Sequence, residues 1–146
     1  MKFSIEQLQL DELRPFLREQ ANDAFPDLKD EQRLNMLAEK WQAYAEFCTC
    51  RDENNRLIGM IAYYANRPER GIVYVPHVYV NKEQRGQGVF STMMTMVRTN
   101  FVGTHYTEIV LEVDKENVIA QKAYFKLGFR YTTGKNRGRY MSLKIS

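Results

Sequence analysis

The chain is poor in the residues that build covalent staples and metal centres: among 146 residues there are two cysteines and two histidines. Cys48 and Cys50 cannot make a disulfide framework. At a spacing of two they fall on one face of a strand, where a mutual bridge is strained. A zinc site needs further ligands, and only His77 and His105 remain to supply them. Both thiols read as small semi-buried side chains in a reducing cytoplasm, and no metal is expected. No apolar run approaches the roughly 20 residues that cross a bilayer, so no membrane partner is expected. The start, Met1-Lys2-Phe3-Ser4-Ile5-Glu6, alternates in polarity and lacks the apolar core of a signal peptide. Excess charge is also missing. Twenty-one basic against 18 acidic residues leave +3, which permits an anionic ligand but does not favour nucleic acid. Repeats, low-complexity segments and flexible linkers are absent.

What is present suits one globular domain over residues 1–146. The composition is 44% hydrophobic and 27% charged, and a chain of this length buries about two thirds of its unfolded surface. Residues 2–8 read as a strand. A helix follows over 12–24, with Leu13, Phe16, Leu17, Ala21 and Ala24 at helical spacing and Pro15 in its first turn. A second helix over 29–45 carries Leu34, Leu37, Ala38, Trp41, Tyr44 and Ala45 on one face. The period then changes. Strands are expected over 47–51, 56–65, 72–80, 107–113, 129–132 and 140–145, with helices over 89–100 and 118–127. Asn117 reads as the N-cap of the latter helix and Gly128 as its left-handed end. The fold class is therefore α/β in the mixed, α+β sense: a largely antiparallel sheet with one strand–helix–strand unit near its middle.

The most informative segment runs Val78-Tyr79-Val80-Asn81-Lys82-Glu83-Gln84-Arg85-Gly86-Gln87-Gly88-Val89-Phe90-Ser91. A strand ends, a basic glycine turn follows and a helix begins. Helix N-termini present unpaired N–H groups and the positive end of the dipole, and glycines let the backbone close on phosphate oxygens. A tight turn that merely caps a helix has the same glycines. A P-loop is excluded, because Gly-Lys-Ser/Thr is absent. A Rossmann fingerprint is disfavoured by Ser91 in place of a third glycine and by the hairpin strands that precede it. Pro76, inside an otherwise ideal strand, reads as a bulge that frees backbone groups to meet a ligand, with a proline on an edge strand as the plainer alternative.

The turn resembles the acyl-CoA-binding motif of the GNAT family of N-acetyltransferases, Gln/Arg-x-x-Gly-x-Gly/Ala. Here it reads Arg85-Gly86-Gln87-Gly88-Val89-Phe90, with Phe90 at the usual small position. The downstream run Leu111-Glu112-Val113-Asp114-Lys115-Glu116-Asn117, then Ala120, Tyr124 and Leu127-Gly128-Phe129, is similar as well. The resemblance implies a single N-acetyltransferase domain with a twisted sheet, about four helices and a splayed central strand pair. It implies acetyl-CoA as co-substrate and direct transfer to a primary amine on a small molecule or a protein.

By that resemblance, Arg85 and the amides of Gly86, Gln87, Gly88, Val89, Phe90 and Ser91 hold the pyrophosphate. The backbone of Val78 and Val80 pairs with the acetyl and pantetheine portions, the Val78 N–H polarising the thioester. Asn117 helps hold the cofactor. Tyr124 protonates the leaving thiolate, and Glu112 is the base, with His77 or water as alternatives. Met93, Met94 and Met96 read as core, and Lys135 to Arg139 as a basic hairpin tip. A catalytically silent acyl-CoA-binding domain is the other class the motifs allow. Oligomeric state is open, a homodimer included.

Overall fold

A computed structural model describes residues 1–132 and 139–146. The elements run β1 (Lys2–Glu6), α1 (Leu10–Asp23), α2 (Glu31–Tyr44), β2 (Glu46–Arg51), β3 (Leu57–Tyr64), β4 (Ile72–Val80), α3 (Val89–Asn100), β5 (Glu108–Glu112), α4 (Val118–Leu127), β6 (Arg130–Tyr131) and β7 (Tyr140–Lys144). The strands form one sheet in the order β1-β2-β3-β4-β5-β7-β6. Every neighbouring pair is antiparallel except β4–β5, whose parallel pairing follows from the α3 crossover. The mixed, largely antiparallel sheet with four α-helices matches the expected fold class. Two apolar clusters lie on its faces. Phe16, Leu17, Leu34, Ala38 and Trp41 from α1 and α2 pack with Phe47 and Met60, while Val89, Met93, Met94 and Val97 from α3 pack with Ile61 and Ile109.

Several expected boundaries move, each for a local reason. The first strand ends at Glu6, and α1 starts at Leu10 after Gln9, so Pro15 lies inside the helix rather than in its first turn. It is tolerated on the exposed face, where the carbonyl it cannot serve is not buried. The second helix starts at Glu31. A 3₁₀ turn, Pro26–Lys29, precedes it, and the Asp30 carboxylate caps it by accepting from the Gln32 and Arg33 amides. Tyr44, placed on the apolar face by periodicity, is 64% exposed, and Ala45 takes the buried place beyond the helix end. Both cysteines are buried in the α3-side cluster, where burial pushes the Cys48 thiol up to about 12. The stretch 133–138 of the expected basic loop lies outside the described residues.

The deviation that matters for function is in β4. Between the pairs Ala62–His77 and Tyr64–Tyr74, β3 advances two residues and β4 three, so β4 carries a bulge at Val75–Pro76. A bulge reverses which face successive side chains meet. Val73 and Val75 lie in the α3-side cluster, and past the bulge Val78 and Val80 pack on that side while Tyr79 joins the α1/α2 side. The pairing of β4 with β5 stops at the same place: its last partners are Val75 and Leu111. Proline supplies no ladder N–H, and the two strands part beyond it.

One polar network fixes the far edge of the sheet. Arg51, 7% exposed, donates to both oxygens of Glu6 and of Glu12, and Thr49 and Ser4 also donate to Glu6. Burial alone would raise the Glu6 carboxyl, but the bonds from Arg51, Thr49 and Ser4 together hold it below its ordinary 4.5. A depressed carboxyl contributes stability above its unfolded value and loses it as pH falls through the folded one. Stability to urea should therefore be level down to about pH 5 and decline below 4.5. Glu6→Gln should be less stable at neutral pH and show a shallower acid decline; equal slopes in the two proteins would count against this network.

Candidate active site

The parted strands form the site's centre. Asn81 donates its backbone N–H to the Ile58 carbonyl at 2.7 Å, which makes Asn81 and Ile58 a hydrogen-bonded pair. Such pairs alternate along an antiparallel ladder, so Tyr79 and His77 also direct their backbone groups at β3. Val78 and Val80 direct theirs the other way, toward the side that β5 has left. The Val78 N–H thus faces the gap. The Val80 carbonyl accepts from Arg85 Nε at 2.9 Å.

Beyond β4 the chain makes a short turn in which Asn81 Oδ1 accepts from the Glu83 amide at 3.2 Å. Gly86 and Gly88 follow, each at φ +80°, where only glycine is free of strain. Gly88 is the N-cap of α3. Among the described residues none of the amides of residues 86–91 has a protein acceptor; the first to find one is Thr92, which donates to the Gly88 carbonyl at 3.0 Å. A run of free N–H groups at the positive end of a helix is an anion site. No atom lies within 4 Å of where a side chain on Gly86 or Gly88 would begin, so the amides are open to approach. They border a cleft of about 420 Å³ between the start of α3 and α4. The α4 wall adds Lys126, a cation the sequence reading missed: near a helix C-terminus, lysine is the ordinary dipole-compensating residue.

The expected site residues divide into three groups. Tyr124 enters from α4, its ring 5.4 Å from Phe90 and 5.7 Å from Phe129, in the same cluster as Val78 and Val80. Burial raises its hydroxyl above the ordinary 10.0, and that hydroxyl bonds to no described residue. The Phe90 ring packs on Tyr124, which accounts for a large residue at a usually small position. Glu112 ends β5 past the last β4 partner, on the opposite face from Leu111 and Val113. It is exposed and pairs with Arg139 Nε at 3.4 Å. Tyr124 and Glu112 therefore flank the gap from opposite faces of the sheet.

Other residues have prior engagements. Asn117 Oδ1 caps α4, accepting from the Ala120 amide at 3.1 Å. The Arg85 guanidinium turns to Asp23 at the end of α1. His77 is shut between Phe25 and Trp41, with ring centroids at 4.3 and 4.9 Å, and its Nε2–H donates to Gln20 Oε1 at 2.5 Å. Burial drives its pKa down to about 4. Among the described residues no group of three His, Cys, Asp or Glu could hold a metal ion, and no helix is long and apolar enough to cross a membrane.

A sheet parted at a bulge, with a glycine turn and helix start at its mouth, defines a protein built to hold an extended, anion-ended ligand. The sequence model of the Acetyltransferase (GNAT) family matches residues 10–129, and the chain belongs to that family. It is 24% identical over 90 residues to an L-2,4-diaminobutyric acid acetyltransferase of Halalkalibacterium halodurans, which covers 62% of this chain. The match spans about half of that relative's length, 48%. Among solved structures it is similar to an acetyltransferase of the GNAT family from Staphylococcus aureus, with TM-score 0.73 and 16% identity, over 99% of this chain and 100% of that one. It is equally similar to a PaiA N-acetyltransferase from Thermoplasma acidophilum solved with coenzyme A, with TM-score 0.73 and 15% identity, over 99% of both chains.

Proposed function

We propose that this protein transfers the acetyl group of acetyl-CoA to a primary amine by direct attack. The observation that carries the reading is the conjunction of a gap-facing Val78 N–H with the free amides of residues 86–91. The first suits a thioester carbonyl and the second a diphosphate, the groups at the two ends of a pantetheine arm. The residues fit that ligand: the cleft is bare of side chains at Gly86 and Gly88 and bordered by Lys126. The relative named as an L-2,4-diaminobutyric acid acetyltransferase and the neighbour solved with coenzyme A are in keeping with it.

Within this reading each residue has a defined task. Acetyl-CoA supplies an activated acyl group on sulfur. The Val78 N–H donates to the carbonyl oxygen as it gains charge. Glu112, reached through water, takes the proton that the ammonium must lose before its lone pair attacks. The C–N bond forms as the C–S bond breaks, and Tyr124 returns a proton to the departing sulfur. His77 suits the base role poorly: it is shut in between Phe25 and Trp41, and its Nε2–H is committed to Gln20, so neither substrate nor water has a path to it. Side by side, Glu112 and Arg139 offer opposite charges at the mouth, which favours a small amine that also bears an anionic group.

The test is a panel of amines with acetyl-CoA, read as released thiol, in wild type and Glu112→Gln. Amino-acid-like amines should turn over fastest. The variant should lose rate chiefly at low pH, where most of the amine is protonated and a base is needed. Silence across the panel despite tight coenzyme A binding would make the protein an acyl-CoA-binding module instead. An unchanged pH profile in Glu112→Gln would move proton removal to solvent.

A further inference from the structure

We propose that Asp23 is a positioning residue for the cofactor loop, acting through Arg85. The proposal rests on the reading of residues 86–91 as the diphosphate site. Gly86 and Gly88 are both left-handed, and no atom lies within 4 Å of where a side chain on either would begin, so no side chain packs over that face of the turn. The residue before them holds the turn. Arg85 Nε donates to the Val80 carbonyl at 2.9 Å, Nη2 donates to Asp23 Oδ2, and the guanidinium lies over the Tyr79 ring at 5.8 Å. Tyr79 Oη donates to the same oxygen of Asp23 at 2.7 Å. Arg85 is thus a strap across the end of β4, and Asp23, the last residue of α1, is its distant anchor.

Asp23 is built for this task. Its side chain is 20% exposed against 45% for Arg85, so it is the more fixed partner. The bond from Tyr79, followed by the bond and charge of Arg85, outweighs burial and keeps its carboxyl below the ordinary range, hence ionised at neutral pH. A turn with two glycines has many conformations, and ordering it at the moment of binding costs affinity. A strap formed beforehand removes that cost from the binding step. The other bonds in the turn are local and fix it to itself, not to the fold: Gln87 Nε2 to the Glu83 carbonyl at 3.2 Å, the Glu83 amide to Asn81 Oδ1, and the Gln84 and Arg85 amides to the Asn81 and Lys82 carbonyls.

The experiment is calorimetry with coenzyme A alone. Asp23→Ala and Arg85→Ala should each weaken binding about tenfold. Their double variant should be no weaker than Arg85→Ala, because the bond from Asp23 to the loop is made through Arg85. Asp23→Asn should stay within about twofold of wild type, since both bonds land on one oxygen that an amide can supply. Wild-type affinity in Asp23→Ala, or losses that add in the double variant, would overturn the proposal. So would an Asp23→Asn that binds more tightly than wild type, which would make Asp23 a competitor with phosphate for Arg85. Gly88→Asp separates the two readings. If it too binds normally, the diphosphate site itself is misplaced; if it fails to bind while the Asp23 variants are silent, only the strap falls.

Discussion

Gly88→Asp should weaken coenzyme A binding by about 10²-fold or more and leave the protein folded. Hydrogen bonds to charged groups contribute about 1.5–3 kcal/mol each, so losing two of those offered by the amides of residues 86–91 suffices for that factor. The substitution does more than crowd the cleft. An aspartate at position 88, the N-cap of α3, sets a carboxylate beside the free amides, and its negative charge repels the phosphates. The left-handed backbone, at φ +80°, costs a non-glycine residue about 1–2 kcal/mol, and open space awaits the side chain, so the expected result is a modest loss of stability and not unfolding. Calorimetry beside a thermal melt checks both halves. A folded Gly88→Asp protein with unchanged affinity would refute the placement of the diphosphate.

Much of this arrangement is written locally in the chain. The run Ile72–Val80, the glycine turn and α3 are marked by residues whose pattern is local: β-branched side chains, two glycines at positive φ, then apolar residues at helical spacing. The same holds for α4, where the Asn117 cap and Gly128 at φ +106° fix both ends. Pro76 signalled the bulge because a missing N–H is a local fact. Its consequence was not legible. Val73, Val75, His77 and Tyr79 alternate as if on one face, yet the extra residue turns the last two toward α1 and α2. That depends on how β3 pairs, which lies outside the strand itself.

Long-range partners were hidden for a related reason. Arg85 read as a phosphate ligand because its neighbours in sequence are glycines, whereas its carboxylate partner is Asp23, far up the chain. Periodicity likewise put Tyr44 on the apolar face of α2, but a helix stripe cannot say where the helix stops being covered. Pattern identifies elements and their apolar faces. Which polar groups meet across the fold is decided by topology, and the site's proton traffic depends on those meetings.

Tyr124→Phe gives the other large effect. The ring packs edge-on against Phe90 and near Phe129, and those contacts survive the substitution, so fold and coenzyme A affinity should be unchanged. Only the hydroxyl is lost. It makes no bond to a described residue that would hold the structure, so its removal should not cost stability. Burial raises its pKa above 10.0, which keeps the proton on oxygen through neutral and mildly alkaline pH, as a donor to a leaving thiolate requires. Turnover should fall on the order of 10²-fold, the usual scale of general acid catalysis. The wild-type rate should show no decline from this group until pH passes above 10. Since a thiolate is itself a tolerable leaving group, the loss should be largest with weakly nucleophilic amines, for which expulsion of sulfur limits the rate. A Tyr124→Phe protein with wild-type turnover on every acceptor would remove the acid role and leave the tyrosine as a wall of the cleft.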